Sequence, residues 1–312
     1  MKREYGLAQI EKDPSSVVTV GSFDGVHAGH RAILRYLIRR AKEQQGQSVV
    51  VTFDPHPREV LYGHAVPLLN TIDERADILE GLGLDRFIVI EFSEAFSKLT
   101  PETFIEKILV GHIGMQEIVV GYDHGFGKGR QGNSDLLKRV GKTHGFTVDI
   151  IPAQEVAHHV VSSTEIRHLL VEEGDAQTAA DMLGHHYSLS GTVIHGDGRG
   201  HSIGFPTANI QVDHPRKLIP RRGVYAVQVR LAGENCVRGG MMNIGLRPTF
   251  NGTRQWLEVH IFDFNEDIYD AQLRIEFVER IRDERKFGSV EELVEQLSKD
   301  ERRSRRTLEL LS

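Results

Sequence analysis

The 312-residue chain carries 38 Lys and Arg against 44 Asp and Glu, a formal net charge of −6, with 26% charged and 39% hydrophobic residues. That balance belongs to an ordinary globular protein; it argues against disorder and against a broad non-specific nucleic-acid footprint. The length predicts roughly two domains of 100–200 residues each.

The start, Met1-Lys2-Arg3-Glu4-Tyr5, lacks the apolar core of a signal peptide, and no run of about 18 apolar residues follows anywhere. A cytoplasmic protein with neither membrane nor nucleic-acid partner is therefore expected. The first half alternates strands with helices. Val17–Val20 runs into Gly21, after which Ile33, Leu34, Leu37, Ile38 and Ala41 recur at helical spacing. Ser48–Phe53 is a β-branched strand ending at Asp54-Pro55. Thr71 and Glu74 form a capping box ahead of a helix through Leu79 and Leu82. Phe87–Ile90 is the next strand, and Thr100-Pro101-Glu102 opens a helix with proline at its first position. Ile118–Val120 and Val148–Ile151 complete a set of continuous apolar strands, which predicts a parallel sheet covered by helices on both faces. Ligands of such sheets bind beyond the carboxyl ends of the strands.

After about Tyr187 the rhythm changes. Gly191–His195, Val224–Leu231, Arg238–Ile244, Leu257–Phe262 and Leu273–Val278 read as strands without intervening helices. Close spacing with Gly and Pro turns predicts a small antiparallel barrel. An amphipathic helix bearing Val290, Leu293, Val294 and Leu297 follows. Its basic end, Arg302, Arg303, Arg305 and Arg306, reads as a solvated face that suits the helix dipole. The border is set at His185–Tyr187, giving domains 1–185 and 186–312. The single cysteine, Cys236, excludes a disulfide framework and a multi-thiolate zinc site, and its alternating surroundings predict a buried small hydrophobe.

Each chemical motif of the first half falls at a strand end. Gly21-Ser22-Phe23-Asp24-Gly25-Val26-His27-Ala28-Gly29-His30 joins a strand to a helix. Glycines let backbone approach a phosphate, and the helix N-terminus offers unpaired N–H groups. His27 and His30, three apart, share a face and can donate to phosphate oxygens as charge builds in a transition state. No Lys-Ser or Lys-Thr pair completes a P-loop, so the site points to nucleotidyl transfer. Phe53-Asp54-Pro55-His56-Pro57-Arg58 ends the second strand. Gly121–Asn133 is a glycine-rich loop with Asp123 as a polar anchor and Lys128 and Arg130 as phosphate partners. In Val161–Arg167, Ser162 and Glu165 form a capping box and Val161 can staple Ile166. Ser163, Thr164 and Arg167 on the same turn suit a triphosphate.

These segments, with those of the second half, resemble the prokaryotic bifunctional riboflavin kinase/FAD synthetase family from about Val17 to Phe287. Gly21–His30 is similar to the family's G-x-F-D-G-x-H-x-G-H signature, and Phe53–Arg58 and Ser162–Arg167 to its second and last nucleotide segments. Gly121–Asn133 resembles its flavin-and-ATP loop, departing at His124 and Gly125. Gly191–Asn209, with its Gly-Phe-Pro-Thr-Ala-Asn core, resembles the flavokinase signature, with His201 where a basic residue is usual. Met242–Thr249, Glu258–Phe264 and Arg282–Phe287 also match.

The resemblance implies a Rossmann-like adenylyltransferase half and a flavokinase β-barrel half, acting on riboflavin, FMN and ATP with Mg²⁺. It implies that Gly21, Phe23, Asp24, Gly25, Asp123, Arg130, Ser162, Ser163, Thr164 and Arg167 meet the nucleotide of the first half. Phe53, Pro55, His56, Tyr122 and Phe126 would meet its flavin. In the second half it assigns Gly196, Gly198, Gly200, Gly204, Pro206, Thr207, Asn209 and Arg282 to ATP and flavin, with Thr207 and Asn209 as hard oxygen ligands for Mg²⁺. Alternation alone puts Glu258 and His260 opposite Leu257 and Val259, on a surface face. The resemblance instead makes Glu258 the base for the ribityl 5′-hydroxyl. Two alternatives stand beside this reading: a nucleotidyltransferase for another small acceptor, and a flavin-binding regulator without turnover.

Overall fold

The computed structural model describes residues 1–122, 125–127, 131–153, 155–156, 159–196, 199–249 and 252–309. Asp123, Arg130 and Gly198 of the expected sites lie outside these described residues, as do Lys128 and His124. The chain divides into two compact units, Met1–Ser163 and Thr164–Ser312.

The first unit is built on a six-stranded sheet in the order β1-β4-β3-β2-β5-β6. The strands are β1 (Lys2–Tyr5), β2 (Ser16–Val20), β3 (Gln47–Asp54), β4 (Arg86–Glu91), β5 (Met115–Gly121) and β6 (Thr147–Ile151), all paired in parallel. Five of them are the strands expected from the apolar runs. Strand β1 is an addition: of its four residues only Glu4 is buried, too short and polar a pattern to announce a strand. Its Glu4 is buried and receives two hydrogen bonds from Arg86 on β4, at 2.9 and 3.0 Å. Alternate residues of the central strands feed two cores. Val18, Val20, Val49, Val51, Ile118 and Val120 face one side, while Val17, Val50, Phe87, Val89 and Val119 face the other. Burial on both faces is why these strands read as continuous apolar runs.

Helix α1 (Ala28–Glu43) lays Leu34, Leu37, Ile38 and Ala41 on the second core. Next come α2 (Pro57–Tyr62) and α3 (Ile72–Gly81), the latter with both hydrogen bonds of the expected Thr71–Glu74 capping box. Helix α4 (Glu94–Ser97) precedes α5 (Pro101–Thr103), which Thr100 caps with proline in its first turn and which continues as π-helical turns over Phe104–Ile113. Helix α6 (Ser134–His144) lies between β5 and β6. A two-stranded ribbon, β7 (Glu155–Val156) with β8 (His159–Val160), follows β6.

The second unit begins with α7, whose helical residues run from Ser163 to His168, then π-helical turns over Leu169–Glu173 and α8 (Ala176–Leu183). Six strands close a barrel in the order β10-β13-β12-β11-β14-β9. They are β9 (Tyr187–Ile194), β10 (Ala208–Val212), β11 (Gly223–Leu231), β12 (Arg238–Thr249), β13 (Gly252–Ile261) and β14 (Gln272–Arg282), joined antiparallel throughout. Strand β10, which begins at the end of the Gly-Phe-Pro-Thr-Ala-Asn segment, supplies the closure that five strands lack. Short α9 (Arg199–Ser202) lies between β9 and β10. Helix α10 (Val290–Glu309) packs on β11, β12 and β14, and Val294, Leu297 and Leu308 rest on Phe205, Val224, Ala226, Met241, Phe262 and Ile281.

The division at His185–Tyr187 follows the change of sequence rhythm. Compactness groups α8 with the barrel, because that helix packs on β9 and β14. Two expectations are corrected. Cys236 is exposed, because it sits in the connection between β11 and β12 rather than on a strand. The basic end of α10 is more than a solvated face: Arg305 holds Asp263 with bonds of 2.7 and 3.0 Å, and Arg303 donates to the Ile281 carbonyl at 2.9 Å. No helix among the described residues is long and apolar enough to cross a membrane.

Candidate active sites

In the first unit the sheet reverses its direction of growth at β2, whose neighbours are β3 and β5. Carboxyl ends flanking such a switch point form the crevice where open parallel sheets bind ligands. The Gly21–His30 segment leaves β2 at that place and the Gly121–Asn133 loop leaves β5.

The Gly21–His30 turn is sharply folded. Phe23 has φ 48°, Gly25 φ 89° and Val26 φ 42°, and only the glycine adopts such values without steric cost. Burial and polar ties hold the strained residues. Phe23 and Val26 are buried, and a Cβ on Gly21 would lie 3.1 Å from the Phe23 ring. Thr52 of β3 donates to the Ser22 carbonyl at 3.2 Å. Asp24 is fully buried and accepts the Leu69 and Asn70 amides at 3.1 and 2.8 Å. Buried Arg75 lies 3.5 Å from its carboxylate and also donates to Thr52 Oγ1 at 3.2 Å. Asp24 therefore anchors the turn to the start of α3. Nothing in its sequence neighbourhood signals Arg75 or Thr52, because they lie on other elements.

His27 is the N-cap of α1, and its Nδ1 accepts the His30 amide at 3.3 Å. A neutral imidazole that accepts at Nδ1 carries its proton on Nε2. The two imidazoles stack with centroids 3.6 Å apart and planes 16° from parallel, and Phe23 meets His30 at 4.9 Å. Gly29 permits the stack, since a Cβ there would lie 3.2 Å from the His27 ring. His30 Nδ1 is buried without a hydrogen-bond partner. Burial first, then the neighbouring His27 and Arg75, holds the His30 imidazole well below its ordinary pKa. His30 is thus neutral at pH 7 in the free chain.

Ser163 Oγ donates to the Asp24 carbonyl at 2.8 Å, so the last motif meets the first across most of the unit's sequence. Val161 and Ile166 are both buried. Thr164 and Arg167 follow on α7, in the second unit. Phe53 packs at 5.4 Å on Phe92, 5.7 Å on Phe96 and 6.2 Å on Phe104, and Phe104 lies 6.0 Å from Phe126. This apolar cluster joins the ends of β3 and β5. A Cβ on Gly132 would lie 2.7 Å from the Phe126 ring, which explains that glycine. His56 caps α2 by accepting the Arg58 amide, Pro55 follows a cis bond, and Tyr122 is 55% exposed.

In the barrel, strand pairing aligns Asn209 of β10, Glu258 of β13 and Asn243 of β12 side by side. Cross-strand partners share a face, opposite the buried Leu257 and Val259. The alternation argument was right about direction, yet this outer face is roofed rather than open. Asn209 is only 6% exposed and Glu258 is half-buried. Asn209 Oδ1 is buried with no hydrogen-bond partner. Gly196 makes room for that amide, because a Cβ there would lie 1.8 Å from Asn209 Nδ2. On Gly200 a Cβ would lie 2.3 Å from the Phe205 carbonyl and 3.1 Å from Thr207 Oγ1. Gly204 takes φ 83° in the turn before Pro206. Trp256 Nε1 donates to Glu258 Oε1 at 2.9 Å.

Two strands separate Arg282 from Glu258: Arg282 lies opposite Val224, which itself pairs with Asn243. Its guanidinium is engaged by buried Asp300 of α10, with bonds of 2.9 and 3.1 Å from Nε. Sequence reading singled out Glu258, Thr207 and Asn209 but not Asn243, Trp256 or His260. The first and last lie inside matched segments, while Trp256 had no signal beyond its rarity.

The FAD synthetase family matches residues 9–165 and the riboflavin kinase family residues 183–308. The bifunctional riboflavin kinase/FMN adenylyltransferase of Haemophilus influenzae is 41% identical, with 91% of each chain covered. That of Listeria monocytogenes is 40% identical over 94% of this chain and 92% of its own, and that of Escherichia coli K12 is 38% identical over 96% of both. A crystal structure named as a macrolide-efflux protein from Streptococcus pneumoniae has a TM-score of 0.88 and 32% identity, covering 98% of this chain and 99% of that one. Its name stands apart from both family matches and all three relatives, which agree with one another in each half. The chain therefore belongs to the bifunctional riboflavin kinase/FMN adenylyltransferase family, with its FAD synthetase part on the parallel sheet and its riboflavin kinase part in the barrel.

Proposed function

We propose that the chain converts riboflavin to FMN in the barrel and FMN to FAD on the parallel sheet, each step using one ATP. The catalytic parts are residues 1–185 and 186–312, and the work is cytoplasmic, where ATP is held. The observation that carries the reading is the row Asn209–Glu258–Asn243, in which a carboxylate sits beside a buried amide oxygen that has no partner.

In the kinase step Glu258 takes the proton of the ribityl 5′-hydroxyl. That oxygen bonds to the γ-phosphorus, the bond to the β-phosphate oxygen breaks, and ADP leaves. Trp256 fixes one carboxylate oxygen, which limits the rotation of the base. Mg²⁺ fits this pocket as a guest of the nucleotide. Among the described residues no group of three or more His, Cys, Asp or Glu gathers as a cation site. Mg²⁺ typically takes one or two protein oxygens, waters and substrate phosphates. Thr207 Oγ1 and Asn209 Oδ1 would hold it, and when bound it would neutralise charge on the transferring phosphoryl group. Gly196, Gly200 and Gly204 let the backbone lie close to the phosphates, and Pro206 and Arg282 border the pocket.

In the second step a phosphate oxygen of FMN attacks the α-phosphorus of ATP, and pyrophosphate departs. FMN arrives as an anion, so no base is required. His27 donates from Nε2 and His30 supplies its imidazole to the developing charge, aided by the N-terminus of α1. Ser162, Ser163, Thr164 and Arg167 serve the departing phosphates. The phenylalanine cluster around Phe53 and Phe126, with Pro55, His56 and Tyr122, receives the flavin ring.

The test is incubation of the pure protein with riboflavin, ATP and Mg²⁺, followed by separation of flavins. FMN and FAD are expected. Glu258→Gln is expected to lower FMN formation by about a thousandfold or more while supplied FMN is still converted to FAD. Loss of both conversions together would refute separate sites.

A further inference from the structure

Strand β13 carries a second polar side chain on the face of Glu258. His260, two residues on, reaches the turn that leads into β10: its Nδ1 lies 2.7 Å from the Pro206 carbonyl oxygen. A carbonyl only accepts, so Nδ1 carries the proton and donates. The ring is also held on two edges, at 5.5 Å and 64° by Phe205 and at 5.8 Å and 66° by Phe262. The turn has its own backbone bonds, from Phe205 N to Gly200 O at 2.9 Å and from Gly204 N to His201 O at 3.3 Å. Those bonds close the segment on itself. The Pro206–His260 bond ties it to a strand of the barrel.

Resting on the kinase reading above, we propose that His260 is a positioning residue for phosphoryl transfer. Its Nδ1–H bond fixes the Gly204–Thr207 turn on the barrel face, and so sets where Thr207 stands relative to the Glu258 carboxylate. Base and phosphate cradle then take their spacing from one strand, because Glu258 and His260 are rigidly placed two residues apart on β13. His260 touches neither nucleotide nor flavin in this role. Its removal loosens the ATP-binding turn and leaves the base intact, so the loss falls on KM for ATP rather than on kcat.

Three full-length variants separate this role from plain packing. His260→Phe keeps the ring and its edge contacts but loses the donor. His260→Asn places an amide nitrogen near the position of Nδ1, whereas His260→Gln, equally polar, carries its amide one carbon further out. The Phe and Gln variants are expected to raise KM for MgATP about tenfold, the worth of one hydrogen bond, with kcat changed less than about threefold. Amide exchange across residues 203–208, measured without nucleotide, is expected to quicken by about the same factor. The Asn variant is expected to stay within about threefold of the parent in both. FMN adenylylation, unchanged in all three, serves as the control for a folded chain. Parent-like KM and exchange in the Phe and Gln variants would overturn the proposal, as would an Asn variant that behaves like the other two. A parent protein that makes no FMN would sink the kinase reading, while the exchange comparison would still decide whether His260 holds the turn.

Discussion

Replacing Asp24 by Asn exchanges one oxygen for an amide nitrogen and leaves the shape unchanged. In the parent, the carboxylate is fully buried, accepts amides at 3.1 and 2.8 Å, and faces a guanidinium 3.5 Å away. The new amide keeps one accepting oxygen and turns an N–H toward a second N–H. One hydrogen bond to a charged acceptor, worth about 1.5–3 kcal/mol, is lost. Arg75, 2% exposed, is left without its carboxylate, and breaking such a buried pair costs about 3–5 kcal/mol in all. For a unit of this size that lowers Tm by on the order of 10 °C. Scanning calorimetry of the full chain measures the shift, and the two flavin conversions measured below the transition locate it. FAD formation is expected to fall with the loosened Phe23–His27 turn while riboflavin phosphorylation persists. A variant melting within about 2 °C of the parent would refute the anchoring argument. If such a variant still lost FAD formation, Asp24 would act on the nucleotide directly.

Two further outcomes follow from the packing and burial of the sites. The His30 imidazole, held well below its ordinary value by burial, is expected to show no NMR titration as pH falls through about 6.5. Because the unfolded chain binds that proton and the folded chain resists it, the stability contributed by neutral His30 is present above about pH 6.5 and declines as pH falls below it. A normal titration near pH 6.5 would contradict the buried stack. Gly196→Ala would put a methyl 1.8 Å from Asn209 Nδ2, so the amide must turn away. FMN formation is expected to fall at least about tenfold, with FMN-to-FAD conversion unchanged; an unaffected kinase would place Asn209 outside the reaction.

Much of the fold could be read directly because local chemistry repeats. Strands buried on both faces produce unbroken β-branched runs, so β2 to β6 were visible as such. Caps state helix starts outright: Thr71–Glu74 and Thr100-Pro101 appear where expected. Strands β1 and β10 were missed because each is short and half polar, and their pairing depends on partners distant in sequence. Cys236 misled for a related reason, since alternation continues across a connection that does not form a strand. Motif spacing pointed to His27 and His30, and the family resemblance to Glu258, Thr207 and Asn209; the structure pairs Asn209 with Glu258 across β10 and β13 and stacks the two histidines.

By itself, then, the sequence determined most of the strands and helices and the family its motifs resemble, since propensity, capping and spacing act within a few residues. Only the tertiary structure decided what surrounds each motif residue. The motif alone did not reveal that Arg75 and the Leu69 and Asn70 amides close around Asp24. By alternation Glu258 reads as a surface carboxylate, yet β10 pairs beside it and Trp256 bonds to it. Burial and hydrogen bonding between distant segments set a side chain's charge, orientation and freedom, and those distances exist only once the chain has closed on itself.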